Sequence, residues 1–249
     1  MKVNLNLGRL ALMLAATVMG LAISASINAQ TVLIDLGNDQ GYRSVDVPNP
    51  DVNGNYWNSV WSGAYYANLT DINGNPSGVA FGFSSAAGND SYNGPAGATD
   101  VNGPGDSVYN AAALGNLGVQ NAVYDYYVSS TFQIQLLDPL KSYDLTFYGS
   151  HKYNADNTTR YTIYDDGTFS NPVTSADLIV GVNDAHNQDT TVTISGVSPQ
   201  PDGIIYVGFA AAGGGDGYLN ALQINAIPEP SSLLLMASAA GLSLIRRCR

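Results

Sequence analysis

The sequence predicts an all-β fold, an antiparallel β-sandwich, and three observations predict it. Short segments alternate apolar and polar residues with period two, turn residues recur between them, and no long stretch between the two chain ends carries helical period. Residues 31–36 (TVLIDL) open the series. In residues 131–136, Phe132, Ile134 and Leu136 fall on one side, and in 142–148 Tyr143, Leu145 and Phe147 do the same opposite Asp144 and Thr146. Residues 190–195 repeat the pattern with Val192 and Ile194. Residues 203–210 are apolar throughout and predict a central strand, and 218–224 close the series.

The pattern Asp-x-Asn-Gly occurs at residues 51–54, 71–74 and 100–103. Asn-Gly favours the positive φ angles of tight hairpins, so each copy predicts a turn between strands. Asp138-Pro139 and Pro201-Asp202-Gly203 are further turn signals. Residues 86–118 are rich in Gly, Asn, Ala and Ser and predict a long loop with one short strand.

Composition narrows the chemistry. The single cysteine, Cys248, lies at the far C-terminus, so residues 30–226 have no disulfide and no thiol nucleophile. All acids except Glu229 are aspartates. Nineteen aspartates face Arg43, Lys141, Lys152 and Arg160 as the only fixed cations of that body, an excess of fifteen negative charges. Such a surface repels phosphate backbones and anionic bilayers, which argues against nucleic-acid binding and suits a secreted protein.

The two ends read differently from the body. Lys2 and Arg9 precede an apolar run to about residue 23, and small residues lead to Ala29. That is the plan of a signal peptide covering residues 1–29. At the other end Pro228-Glu229-Pro230 is followed by the apolar run 233–245 and by Arg246, Arg247 and Arg249. A helix over 231–245 would span roughly 22 Å, short of a hydrocarbon core of about 30 Å, so it predicts a transient stop in the inner membrane with the arginines held inside. The order of these three features resembles the PEP-CTERM sorting signal of Gram-negative bacteria, over residues 227–249. The resemblance implies cleavage near Pro228-Glu229-Pro230 by a membrane enzyme, exosortase, after export, and a final location at the cell surface or in the extracellular matrix. The expected organisation is a signal helix, a β-sandwich over 30–226, and a short transmembrane helix in the sorting tail.

Within the body, Ile34-Asp35-Leu36-Gly37, Tyr56-Trp57-Asn58, residues 71–75 leading to Gly78-Val79, residues 142–150, Arg160-Tyr161-Thr162 and residues 218–222 occur in an order similar to galactose-binding-like jelly-roll modules of bacterial surface proteins. That resemblance implies a jelly roll and a glycan-binding role. The residues themselves offer a candidate sugar site. Sugars present C–H faces that stack on aromatic rings and hydroxyls that bond amides and carboxylates. Trp57, Trp61 and Tyr65 are the expected stacking residues, and Asn58, Asp125, His151 and Arg160 the expected polar contacts, with an exopolysaccharide as the ligand. The competing expectation is that both tryptophans serve packing in a structural matrix protein.

Alternating oxygens at Asp51, Asn53, Asn55 and at Asp71, Asn73, Asn75 raise the question of calcium. Neither segment has the Gly and Glu that an EF-hand loop needs at its sixth and twelfth positions, so hairpin turns explain them better, with structural calcium from distant loops left open. No organic cofactor is expected. Catalysis finds little support: Gly105-Asp106-Ser107 lacks a preceding buried strand, and aspartates are so frequent that some glycosidase-like pair is inevitable. A glycan-active hydrolase stands as the third reading.

Overall fold

A computed structural model describes residues 30–39, 45–84, 91–92, 109–151, 157–182 and 185–227. The expected signal helix and the sorting tail, with Pro228, Glu229, Pro230, Arg246, Arg247 and Arg249, lie outside the described residues. Among the described residues no helix is long and apolar enough to cross a membrane.

The strands in chain order are β1 (Thr31–Asp35), β2 (Asn58–Ser59), β3 (Tyr65–Tyr66), β4 (Ala80–Phe83), β5 (Ser91–Tyr92), β6 (Asp125–Val128), β7 (Ser130–Gln135), β8 (Ser142–Tyr148), β9 (Asn157–Tyr164), β10 (Pro172–Val182), β11 (Ala185–His186), β12 (Val192–Val197), β13 (Ile205–Ala211), β14 (Tyr218–Leu219) and β15 (Ala221–Ile227). They form a five-stranded sheet in the order β12-β8-β15-β1-β2, a seven-stranded sheet in the order β11-β10-β9-β13-β7-β4-β3, and a small sheet β14-β6-β5. Pairing is antiparallel throughout except β1 with β2. The result is the antiparallel sandwich that the alternation predicts.

Period two places the inward residues. Val32 and Ile34 of β1, Leu145 and Phe147 of β8, and Leu222 and Ile224 of β15 face Phe132 and Ile134 of β7, Tyr161 of β9 and Val207 of β13 in one buried cluster. The rings of Phe147 and Tyr161 stack between the sheets at 4.4 Å. Burying each such side chain is worth about 1.5–3 kcal/mol. β13 is central as expected, with β9 and β7 on its flanks.

Two expectations need correction, and one strand was not expected. Leu136 does not join Phe132 and Ile134 in the core. β7 stops at Gln135, Leu136 turns out with φ 61° and stands 63% exposed, and Leu137 takes the buried place. Residues 86–118 do not end as loop alone: α1 (Ala111–Leu114), a 3-10 turn (Gly115–Leu117) and then α2 (Gln120–Tyr124) follow one another, with Asn110 Oδ1 accepting from the Ala113 amide at 3.2 Å as cap. Such short helices leave no periodic pattern to read. The eleven-residue β10 also escapes the alternation rule. Its register slips between Pro172 and Thr174 and again between Ile179 and Gly181, so its apolar residues lose period.

A second apolar cluster lies on the outer side of the five-stranded sheet. Leu33, Tyr148 and Ala221 point outward from β1, β8 and β15 and are covered by Trp57, Val47, Leu114, Leu117 and Val123. The short helices therefore form a lid on this sheet. The predicted turns at Asp51 and Asp71 are identical in construction: each carboxylate Oδ1 accepts from two amides, those of Asn53 and Asn55 or of Asn73 and Asn75, at 2.8–2.9 Å. Gly54 and Gly74 take φ 86° and 82°, which the turn demands. The third copy, 100–103, lies outside the described residues.

Candidate functional site

The seven residues expected to form a sugar site are not brought together. Trp57 is 1% exposed; its indole N–H donates to Asp51 Oδ2 at 2.9 Å and its ring is part of the lid. It offers no face to a ligand. Asn58, on β2, spends its side chain on the backbone: Nδ2 donates to the carbonyls of Leu33 and Thr70, and Oδ1 accepts from the Thr70 amide. Trp61 is half-buried, and its amide donates to the Tyr66 hydroxyl at 2.6 Å. Asp125 is fully buried and accepts from the Val45 amide at 2.8 Å. His151 is buried, stacked on Tyr218 at 4.0 Å and edge-on to Tyr126; burial pushes its pKa down to about 4, so it is neutral. Arg160 stands on the outer side of the seven-stranded sheet, directly opposite Asp177 in register, and grips that carboxylate with two bonds of 2.7 and 2.8 Å. Tyr65 alone of the three stacking candidates is well exposed, at 56%.

A group that the sequence reading passed over is Asp35. It closes β1 with no exposure, and burial raises its pKa to about 8, opposed by bonds from Ser59 Oγ (2.8 Å) and the Val47 amide (3.3 Å). Asp35 and Asp125 thus hold the strap 45–47 by alternate amides, and Asp39 and Asp46 reinforce it by exchanging backbone-to-carboxylate bonds of 3.0 and 3.1 Å. Asp35 is perturbed but sealed from solvent, so its role is structural. The available signal was an aspartate inside an apolar strand run.

The exposed chemistry lies on the outer face of the seven-stranded sheet. Tyr65 pairs with Gly82, Gly82 with Gln133, Gln133 with Tyr206, and Tyr206 with Tyr164. These five residues form one transverse row across β3, β4, β7, β13 and β9. Their strand neighbours Phe81, Ile134, Val207 and Ile163 are buried in the core, so the row faces out. Two rings lie on glycine: a Cβ built on Gly82 would meet the Tyr65 ring at 2.9 Å, and one on Gly208 would meet the Tyr164 ring at 2.9 Å. Phe169, held at φ 55° in the β9–β10 turn, packs edge-on against Tyr164 (5.5 Å) and Tyr206 (5.9 Å). A bulky residue in that region is strained and is kept there by its surroundings.

Hydroxyl bonding separates these tyrosines from those of the core. Tyr66, Tyr127, Tyr143, Tyr148 and Tyr161 all bond through their hydroxyls to backbone groups. Among the described residues, the hydroxyls of Tyr65, Tyr164 and Tyr206 have no protein partner. Rings on a flat floor with unengaged hydroxyls, next to the amides of Gln133 and Gln135, are suited to contacting an amphipathic ligand.

Among the described residues, two grooves lie elsewhere. One of about 630 Å³ runs between the sheet edges, lined by Ile179, Val182, Asn187, Gln188, Asp189 and Thr191 among others. Asn187 there is used structurally, bonding Gly149, Thr190 and Tyr148. A smaller one of about 360 Å³ borders Pro48, Val52, Tyr109 and Gln120. Among the described residues no three His, Cys, Asp or Glu side chains gather to hold a metal ion.

No protein-family model and no curated protein matches the sequence. Solved structures of a Bacteroides uniformis β-glucuronidase, and of its β-glucuronidase 2 covalently bound to cyclophellitol-6-carboxylate aziridine, are similar over 79% of this chain at 12% identity with a TM-score of 0.49. This chain spans 18% of theirs.

Proposed function

We propose that this is an exported, non-catalytic surface or extracellular-matrix protein whose jelly-roll body binds carbohydrate, with export and release directed by its two ends through a signal peptide and an exosortase-processed sorting tail. The observation that carries the binding role is the outward row of Tyr65, Tyr206 and Tyr164 with unengaged hydroxyls beside Gln133. Aromatic rings supply the apolar contact a sugar face needs, and phenol and amide groups supply its hydrogen bonds. This moves the binding role from the Trp57 loop to a sheet face, with Tyr65 common to both.

The reading of a purely structural matrix protein draws on a different observation, the burial of Trp57 together with Asn58, Asp125 and His151 in internal roles. Binding of the purified chain to a panel of soluble and insoluble polysaccharides separates the two. Saturable binding that falls in a folded Tyr164→Ala, Tyr206→Ala double variant supports the binding role; absence of binding across the panel leaves the structural one. Mass spectrometry of the protein recovered from the producing cell tests the sorting proposal: a mature C-terminus near Pro228 is expected, and an intact Arg249 would refute it.

A further inference from the structure

We infer that the ligand of this face is an uncharged polysaccharide, lying across the strands and recognised along its length rather than at its end; this rests on the carbohydrate-binding reading above. The register sets the direction. Tyr65, Gly82, Gln133, Tyr206 and Tyr164 follow one another strand by strand, so the row runs perpendicular to the strands. Four interstrand steps of about 4.8 Å give a length of about 19 Å, the reach of roughly four hexose units in an extended chain.

The extent of the row across five strands points to recognition along the chain. Neither of the two grooves bounded by described residues includes any residue of the row. At one end the row stops on Tyr65 of β3, the edge strand, and at the other it continues in register onto Pro172 of β10. A pocket that closes around a terminal sugar is what end recognition needs, and among the described residues no strand pairs with β3 on its far side. The side chains that rise from the face are rings, amides and the small hydroxyls of Thr131, Thr162 and Ser175 in the next row, where Gly208 pairs with both threonines.

Charge selects a neutral chain. Arg160 is the one described cation on this face, and both arms of its carboxylate contact go to Asp177. Burial first, and then the charges of Asp202 and Asp166, raise the pKa of the Tyr206 hydroxyl, so the two carboxylates stand beside the row and make its rim negative. An anionic chain meets repulsion there and finds no unpaired described cation to offset it.

The test is the affinity of the full-length chain for neutral linear oligosaccharides of one to six units from cellulose, xylan and mannan, with polygalacturonate as the anionic comparison. The expected result is an affinity that rises about tenfold or more from two units to four and then levels, since each further stacking contact adds of the order of a factor of ten. Reducing the terminal sugar of the six-unit chain to its alditol should leave its affinity unchanged, since five closed rings remain to cover the row, and Tyr164→Ala and Tyr206→Ala should each lower the four-unit affinity in a variant that still folds. Single sugars binding as tightly as tetramers, loss on alditol formation, or a preference for polygalacturonate would overturn this inference while leaving carbohydrate binding in place. No affinity for any neutral chain would remove the carbohydrate reading itself.

Discussion

The two sheets present opposite outer faces. The five-stranded sheet turns Leu33, Tyr148 and Ala221 outward, and the chain covers them with Trp57, Val47 and the short helices. Asn116 pins that lid by donating to Gln223, an outward residue of β15, at 3.0 Å. The seven-stranded sheet turns Tyr65, Tyr206 and Tyr164 outward and leaves them at the surface. Both faces carry aromatic residues at outward positions, yet one has become a second core and the other a surface. What separates them is where their polar atoms go. The indole of Trp57 is answered by Asp51, and the hydroxyl of Tyr148 by the Asn187 carbonyl at 2.8 Å. The hydroxyls of the open row have no such partner among the described residues. An aromatic residue in a protein is thus assigned to packing or to recognition by its polar tip as much as by its ring.

The strongest way to break this contrast is to remove the lid's anchor. Trp57→Ala should cost roughly 3–5 kcal/mol, because it empties a buried site and leaves Asp51 without its indole donor. Urea denaturation measures it. A loss under about 1 kcal/mol would mean that the lid is dispensable, and that the two faces differ less than the burial implies.

The next effect is a pH dependence seated under the same lid. Asp35 has a native pKa of about 8 against an ordinary 3.8, so the folded state keeps a proton that the unfolded chain releases. Its contribution is fully present below the ordinary carboxylate range and is lost as pH rises through about 8. His151 has the opposite sign: its native pKa of about 4 lies below the ordinary 6.5, so its contribution is lost as pH falls through that interval. The two slopes offset one another below pH 6.5, and the Asp35 slope stands alone from there to about 8, at up to about 1.4 kcal/mol per pH unit. Stability measured from pH 5 to pH 8 should therefore decline mainly in its upper half. Asp35→Asn should flatten that decline and expose the His151 slope at acid pH; an unchanged profile would show that Asp35 ionises freely in the native state.

The smallest expected effect on stability sharpens the other face. Gly82→Ala and Gly208→Ala place a methyl group where the rings of Tyr65 and Tyr164 now rest, and neither glycine has a positive φ. The rings should be displaced while the stability changes by less than about 1 kcal/mol, with carbohydrate affinity falling although no contacting residue has been removed. A loss of several kcal/mol would instead show that these tyrosines act as packing, as Trp57 does.

Much of the sandwich was legible before any coordinates. The alternation in 142–148 marks β8 to the residue, and the apolar run at 203–210 marks the central β13, because a half-buried strand must repeat with period two and a central one need not. The Asp-x-Asn-Gly turns at 51 and 71 were legible for a local reason as well: a carboxylate two and four residues before an amide bonds it without tertiary help. β10 was not legible, since two register slips erase its period.

The candidate site was mostly illegible. Clustering Trp57, Asn58, Trp61 and Tyr65 by their nearness in sequence joins residues that the fold sends to different layers, and Tyr164 and Tyr206 carry no signal that marks them apart from the buried Tyr161. By itself the sequence determined the strand alternation, the turns, the absence of cysteine from the body and its excess of aspartate, because those depend on residues close together or on composition alone. Only the tertiary structure decided which outer face is covered, that Asp35 is buried while Asp166 is not, and that Tyr65, Gln133, Tyr206 and Tyr164 share one row. Those outcomes depend on strand order and register, and these are set by contacts between residues far apart in the chain.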